Sequence, residues 1–468
     1  MAERNLGHPH SIQGDKPVKI YSRGDRHLAI FPEIPQWLIV SSEGRLILEA
    51  AVAGVPVEHV MNALPESNPG EIAKTYREFL DLAHTSPASV SSEPVSKSLT
   101  ARTSVAMIGV TRDCNLACDH CYVDASGSRG QELTLAEHEA LARDLIACFA
   151  VDPRVTYKVN LTGGEPFMNP DILGIISAYA SAGFDINMST NGLMLDERDI
   201  KHLHDLNVTP SVSLDGATAL THERIRGRDT FQPVLDQIKR MVDAGIRVGI
   251  NSLIHSGNFH ELEDIIALVN RLGCSGFNPI NLVQLGRACD SALQRVSEVE
   301  IFKRISRYLA THPECQHLFA ASSLFTSLGA ALLAGILCES CGVGNRPCVY
   351  IDECGNVYPC ANTQRVEFLL GDIRQTPLAE CVRIDHPILE RLRALSVDSL
   401  NPKCTACDVR YFCGGDCRGE TFNVTGNLCA PYVACRDRHD SIVELMWIVA
   451  ENPELFEVRA SEYTDRAV

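Results

Sequence analysis

The chain has 468 residues, 45% of them hydrophobic and 22% charged, with a formal net charge of -17. That length and apolar content suit two to four packed domains and exclude a disordered protein, while the acidic balance argues against a nucleic-acid or anionic-membrane partner. The opening MAERNLGHPHSIQGDK has no apolar segment and no long apolar run follows, so a cytoplasmic protein with no membrane association is expected.

Residues 1–15 read as a flexible tail. Three short strand-like runs follow, Val18-Lys-Ile-Tyr21, His27-Leu-Ala-Ile-Phe31 and Gln36-Trp-Leu-Ile-Val40. Ser42 as cap and Glu43 in the first turn open a helical pattern through Leu46, Ile47, Leu48 and Ala51, and two further helices are expected at Val55–Leu64 and Gly70–Ala83. Residues 16–84 are therefore expected to form an N-terminal winged-helix-like α+β module. It holds no cysteine and no catalytic cluster, which favours a binding role. The segment resembles PqqD-like peptide recognition elements, and the resemblance implies capture of a precursor peptide's leader as an added strand on the sheet edge. Residues 85–103 begin Thr85-Ser-Pro-Ala-Ser-Val-Ser-Ser and read as a Ser/Pro-rich linker.

From Val105 short apolar runs alternate with longer amphipathic ones. Strands are expected at Val105–Val110, Thr156–Leu161, Asp185–Ser189, Thr209–Leu214, Arg247–Ile254 and Gly276–Val283. Helices are expected near Leu135–Phe149, Asp171–Ala182, Asp196–Leu206, Phe231–Ala244, His260–Leu272 and Val299–Thr311. Six such units predict an α/β fold with a parallel sheet, an open partial (β/α)6 barrel over 104–335, with its chemistry at the C-terminal strand ends.

Directly after the first of these strands stands Cys114-Asn-Leu-Ala-Cys118-Asp-His-Cys121. Three thiolates on one short loop can hold three irons of a four-iron cluster and leave the fourth open for chemistry; a zinc knuckle is the plainer reading. The second strand runs into Thr162-Gly163-Gly164-Glu165-Pro166, where paired glycines allow close backbone approach and a carboxylate can accept from an ammonium group. Ser189-Thr-Asn191-Gly192 and Ser211-Val-Ser213-Leu-Asp215-Gly216 end the third and fourth strands with small polar groups, which suit ribose hydroxyls and equally suit turns and caps. His222-Glu-Arg-Ile-Arg226-Gly227 follows.

The CxxxCxxC loop, with His120 before its third cysteine and the Gly-Gly-Glu-Pro turn in register, resembles the radical SAM superfamily. The resemblance implies that S-adenosylmethionine chelates the open iron and is cleaved to a 5'-deoxyadenosyl radical. It also implies cofactor contacts from His120, Gly163, Gly164 and Glu165, from Ser189 and Ser213, and from Asn191, Asp215 and Arg226, the last as a fork onto the carboxylate. Asn251 and Leu285-Gly286-Arg287-Ala288 stand at adenine-side positions of that family.

The stretch from Cys338 to Cys435 holds 12 of the 19 cysteines. Its strongest element is Cys404-Thr-Ala-Cys407, then Cys413 and Cys417, preceded by Cys341, Cys348 and Cys360 and followed by Cys435. The order resembles a SPASM domain, here 336–438, which implies two auxiliary four-iron clusters. The first would take Cys341, Cys348, Cys360 and Cys417. The second would take Cys404, Cys407, Cys413 and Cys435, with Cys429 able to replace the last. Zinc ribbons are the alternative for such pairs. Ala361 follows Cys360 where sulfatase maturases carry an aspartate base, so the catalytic base stays unassigned. Residues 439–468 are expected to supply a helix, Ser441–Ala450, packed on the body, and a tail.

These readings converge on an enzyme carrying three [4Fe-4S] clusters and S-adenosylmethionine, a radical SAM peptide maturase. It would bind a ribosomally made precursor peptide through the leader, take electrons from an external one-electron reductant of flavodoxin or ferredoxin type, and form a thioether or carbon-carbon cross-link. The alternatives are a maturase of a folded protein and a non-catalytic iron-sulfur scaffold.

Overall fold

The computed structural model describes residues 3–4, 18–83, 102–125, 127, 130–149, 156–320, 323–343 and 348–457. The expected linker lies outside these residues, apart from its last two positions, which open a strand.

The N-terminal sheet has the order β1 (Glu3–Arg4), β4 (Gln36–Ser41), β3 (Arg26–Phe31), β2 (Lys19–Arg23), all antiparallel, followed by α1 (Ser42–Val52), α2 (Val57–Ala63) and α3 (Pro69–Ala83). The three expected strands and three helices are present. Two residues of the expected tail form β1 on the outer edge of β4. The α1 cap is Ser41 rather than Ser42: Ser41 ends β4 in extended backbone, and its hydroxyl accepts from the Gly44 N–H at 3.1 Å.

Both faces of this sheet are buried. Ala29, Phe31, Leu38 and Val40 pack under the three helices, while Leu28, Ile30, Trp37 and Ile39 join the main core of the chain. That double burial is why His27–Phe31 and Gln36–Val40 read as unbroken apolar runs instead of alternating.

The main body carries β5 (Arg102–Gly109), α4 (Leu135–Phe149), β6 (Thr156–Thr162), α5 (Ile172–Ser181), β7 (Asp185–Thr190), α6 (Glu197–Asp205), β8 (Thr209–Ser213), α7 (Ala219–Arg226), α8 (Phe231–Asp243), β9 (Gly249–Ile254), α9 (Leu262–Arg271), β10 (Gly276–Asn281), α10 (Glu298–Thr311) and α11 (Leu324–Ala334). Strands β5 to β10 are parallel and adjacent in chain order, the open barrel that the alternation predicts. The sheet continues past β5: β11 (Val349–Ile351) pairs parallel with β5, and β12 (Asn356–Tyr358) and β13 (Gly371–Asp372) follow antiparallel, making nine strands. The cysteine-rich region thus caps what would be an open edge.

Along β6 to β10, Val159, Leu161, Ile186, Met188, Val212 and Ile250 face the helices and join the core. The alternate residues, half-buried and mostly polar, face the inside of the barrel.

The N-terminal sheet is held on the body by side chains. The Trp37 indole N–H donates to the Leu332 carbonyl at 3.0 Å. Arg23 lies 4.7 Å from the Trp447 ring centre and pairs with Glu444 at 2.6 Å, both on the helix Cys435–Glu451. Trp37→Ala is expected to weaken this docking by about 3–5 kcal/mol. Urea titration should then show residues 18–83 unfolding in a separate, earlier transition.

Candidate active site

The C-terminal ends of β5 to β8 meet the irregular loop 111–125, which carries Cys114, Cys118 and Cys121. Three arginines from separate places hold it. Arg112, at the end of β5, donates to the Val123 carbonyl at 2.5 Å and the Asp124 carbonyl at 3.2 Å. Arg287, after β10, donates to the carbonyls of Cys118 and Ala125 at 2.9 Å and to Asp124 Oδ1 at 3.1 Å. Its own N–H reaches the Cys121 carbonyl at 3.0 Å, and Gly286 passes so close that a Cβ would sit 2.4 Å from that oxygen. Arg226, the last residue of α7, donates through Nε to Asp215 Oδ2 at 2.5 Å, through Nη2 to His120 Nε2 at 3.2 Å, and points Nη1 at Cys118 Sγ at 4.0 Å.

None of the 19 cysteines is in a disulfide. Burial pushes Cys114 and Cys118 up, Cys121 adds to both, and Arg226 pulls both down. The sulfurs accept hydrogen bonds: the Leu116 N–H donates to Cys114 Sγ at 3.5 Å and the Ala125 N–H to Cys121 Sγ at 3.4 Å. His120 is pushed by burial down to about 4, so its ring is neutral. Because Nε2 accepts from Arg226, Nδ1 carries the proton, and this buried donor has no partner. Three unpaired soft thiols, N–H donors on sulfur, a buried guanidinium and one orphaned donor fit an iron-sulfur cluster with a polar ligand beside it.

The Gly163-Gly164 turn lies on the backbone that leads into this loop. A Cβ on Gly163 would meet the Thr111 carbonyl at 2.2 Å, and one on Gly164 would meet the Asp113 carbonyl at 2.1 Å. The close approach is to the chain itself, locked by the Gly164 N–H to Thr111 O bond at 2.8 Å and the Glu165 N–H to Asp113 O bond at 2.7 Å. Glu165 is fully buried. It accepts from the Thr190 hydroxyl and the Asn191 N–H, both at 2.7 Å, and from the Phe167 N–H at 3.3 Å.

The other expected cofactor contacts divide into two kinds. Asn191 and Asp215 spend their side chains on the protein: Asn191 Nδ2 donates to Asn115 Oδ1 at 2.6 Å, and Asp215 Oδ1 accepts the Leu253 N–H at 2.7 Å beside its Arg226 pair. Burial pushes the Asp215 carboxyl up, but Arg226 and His120 hold it below its ordinary value. Ser189 and Ser213, half-buried on the inner face, have no hydrogen-bond partner among the described residues. The segment Leu285–Ala288 grips the cysteine loop through Arg287, a role its strand-end position did not suggest. Arg112 had one signal in the sequence, a cation two residues before the first cysteine.

In the cysteine-rich region, Cys341 and Cys417 both act on Cys360, which burial pushes up to about 12. Cys417 Sγ accepts from the Glu420 N–H and Asn362 Nδ2, each at 3.3 Å, and Cys360 Sγ accepts from the Thr363 backbone N–H. Cys348 directly precedes β11. Cys404 and Cys435 both act on Cys407, pushed by burial to about 11, and Cys404 Sγ accepts from Asn401 Nδ2 at 3.3 Å. Cys413 has Cys407 and Cys338 beside it. Two cysteines outside the expected set behave oppositely: Cys338 Sγ donates to the Ser340 carbonyl at 3.3 Å and Cys381 Sγ to the Thr376 carbonyl at 3.8 Å. Cys407, Asp408 and His439 also present ligand atoms within 4.8 Å of one another, and neither Asp408 nor His439 stood out in a sequence read for cysteines.

Burial pushes Glu165 up to about 7, against the pull of its hydrogen bonds. Between the ordinary carboxylate range and pH 7 it therefore keeps a proton that the unfolded chain has lost, and its contribution to stability falls as pH rises through that window. Glu165→Gln is expected to gain on the parent protein by up to about 3 kcal/mol between pH 5 and pH 8. Urea denaturation of both at the two pH values checks this.

Residues 108–270 match the Radical SAM superfamily. The AdoMet-dependent heme synthase of Nitratidesulfovibrio vulgaris is 28% identical over 345 residues, 70% of this chain and 90% of that protein. The mycofactocin maturase MftC of Mycobacterium ulcerans is 26% identical over 323 residues, 67% of this chain and 82% of that protein. In fold, the chain is similar to anSMEcpe with bound AdoMet (TM-score 0.61, 16% identity, 75% of this chain and 99% of that one). It is also similar to SuiB of Streptococcus suis bound to its precursor peptide SuiA (TM-score 0.56, 14% identity, 89% of this chain and 100% of that one). With the cysteine loop, the Gly-Gly-Glu turn and the parallel strands in the order described, the chain carries a radical SAM domain and is a radical SAM enzyme.

Proposed function

We propose that the chain is a maturase of a ribosomally synthesised precursor peptide. The observation that carries the reading is the outer edge of β4. Among the described residues, Leu38 and Ile39 alone of its six residues pair with β1, so the rest of this docked strand's outer edge has no described strand partner and suits strand addition. At the opposite edge of the same sheet, the Tyr21 hydroxyl of β2 donates to Asp408 at 2.6 Å, next to Cys407, so the module lies against the cysteine-rich region by its β2 side.

Enzymes of this family work with S-adenosylmethionine and a [4Fe-4S] cluster. When bound, these supply a 5'-deoxyadenosyl radical that removes a hydrogen atom from a substrate carbon. Cys114, Cys118 and Cys121 would hold the cluster. Arg226 would offset its charge, and the free Nδ1–H of His120 and the hydroxyls of Ser189 and Ser213 would orient the cofactor. Gly163, Gly164 and Glu165 would border its amino group, since Glu165 Oε2 accepts only one bond in the structure. Asn191 and Asp215 would act through Asn115 and Arg226.

Two auxiliary clusters, on Cys341, Cys348, Cys360 and Cys417 and on Cys404, Cys407, Cys413 and Cys435, complete the reading. The sulfurs of Cys360, Cys404 and Cys417 accept hydrogen bonds, as a thiolate ligand does. The product is a thioether or carbon-carbon cross-link, with electrons supplied by a one-electron reductant protein.

The test is anaerobic incubation of the reconstituted enzyme with S-adenosylmethionine, reductant and the small peptide encoded beside its gene. A loss of about two mass units per event is the expected outcome. Hydrogen exchange at Gln36–Ser41 should slow when the peptide is added. An unchanged peptide alongside abundant 5'-deoxyadenosine overturns the reading and moves the substrate to a folded protein or small molecule.

A further inference from the structure

The inner faces of β7 to β10 carry polar groups, aligned by strand register, that the protein itself does not use. Ser189, Ser211, Gly249 and Gly276 stand side by side in one row; Ser213, Asn251 and Asn278 form the next. The first row is all small and makes a recess, and the second overhangs it with carboxamides. Ser211 and Asn187, like Ser189 and Ser213, have no side-chain hydrogen bond among the described residues. Asn278 Nδ2 donates to Asn251 Oδ1 at 3.2 Å, which leaves Asn251 Nδ2 and Asn278 Oδ1 free as a neighbouring donor and acceptor.

The chemistry of this wall selects its occupant. No charged side chain stands in either row; Lys158 and Asp185, further down on β6 and β7, are opposite in sign and adjacent in register, and Arg247 precedes Gly249 by two residues. A carboxylate or phosphate held between the two rows would lose water and gain no counter-charge from them. A neutral amide that pairs with the carboxamides keeps its hydrogen bonds. One residue of an extended peptide directs its N–H and C=O to the same side, the pairing by which antiparallel strands exchange two bonds. A free amide donor beside a free amide acceptor is the complement of that pair.

We infer that Asn251 and Asn278, above the Ser211–Gly249–Gly276 recess, form the substrate subsite of the barrel and hold the main-chain amide groups of a peptide segment in neutral form. The assignment rests on the peptide reading above and adds where the modified segment is gripped. It separates the open edge of β4, which takes the leader, from a second amide-reading surface inside the barrel.

The test is a binding measurement that needs no turnover. The cluster-loaded enzyme with S-adenosylmethionine bound is titrated calorimetrically with N-acetylglycylglycine N-methylamide, with N-acetylglycylglycine as its carboxylate counterpart, and with a porphyrin polycarboxylate. The diamide should bind, with the carboxylate at least tenfold weaker. Asn278→Leu and the milder Asn278→Ser should each weaken diamide binding at least tenfold while S-adenosylmethionine affinity stays within twofold, which also reports that the variants fold. No diamide binding, binding indifferent to both substitutions, or preference for either carboxylate ligand overturns the inference. So does a parallel fall in S-adenosylmethionine affinity, which would give the wall to the cofactor. A diamide that binds through Asn278, beside a precursor peptide that is never modified, would instead overturn the maturase reading alone.

Discussion

Cys114, Cys118 and Cys121 sit on a loop with no regular structure of its own, and the shape of the candidate site depends on what grips that loop. The grip comes from Arg112, Arg226 and Arg287, brought from the end of β5, the end of α7 and the turn after β10. Two of them take the loop by its carbonyls and fix its path. Arg226 faces the sulfurs and brings charge. It uses Nε, Nη1 and Nη2 toward three different partners, a division of labour that a lysine's single ammonium cannot reproduce. Asp215 holds it in place from a fully buried position, so the cation facing Cys118 is itself anchored to β9 through the Leu253 N–H. The barrel must therefore close from β5 to β10 before the cysteine loop has a shape.

This explains which parts were legible in the sequence. The six parallel strands were, because period-two burial under helices leaves a pattern in the chain itself. The strand-end motifs were legible as places but less so as roles. Asp215 and Asn191 looked like ligand contacts because small polar groups at strand ends serve ligands and turns equally; their partners, Arg226 and Asn115, lie 11 and 76 residues away. Gly163 and Gly164 were read as letting the backbone approach a ligand, and in the structure what lies that close to them is the Thr111–Asp113 backbone. Strands β11 to β13, of two or three residues each, are too short to carry a period. α11 is apolar on nearly every side because it is enclosed by the N-terminal sheet and the last helix, and a helix buried all round has no stripe to read.

The direction of hydrogen bonding at sulfur supplies a distinction that spacing could not. A thiol with a proton donates to a carbonyl, and Cys338 and Cys381 do so. A sulfur surrounded by N–H and O–H groups is built for the charged form. Cys114, Cys121, Cys360, Cys404 and Cys417 are surrounded in that way, although burial alone would keep the buried ones protonated. Burial and hydrogen bonding thus pull in opposite directions at these sulfurs, a conflict that a bound metal would resolve by removing the proton.

The N-terminal module bears on the same question from outside. Its sheet is not an appended reader on a flexible tether, because one face, with Leu28, Ile30, Trp37 and Ile39, belongs to the main core. Removing it would uncover apolar surface on α11 and the last helix, so loss of activity on truncation would say little about recognition. What it does offer is a fixed distance between its sheet and the strand ends of the barrel. Arg410 to Glu33 at 2.7 Å, in the turn between β3 and β4, and Tyr21 to Asp408 at 2.6 Å, on β2, tie the module to the elements that carry Cys407 and Cys413. A leader added as a strand would then set the register of the segment that follows it by geometry alone. In such an arrangement, the length of chain between leader and modified residue decides which side chain is presented to the radical.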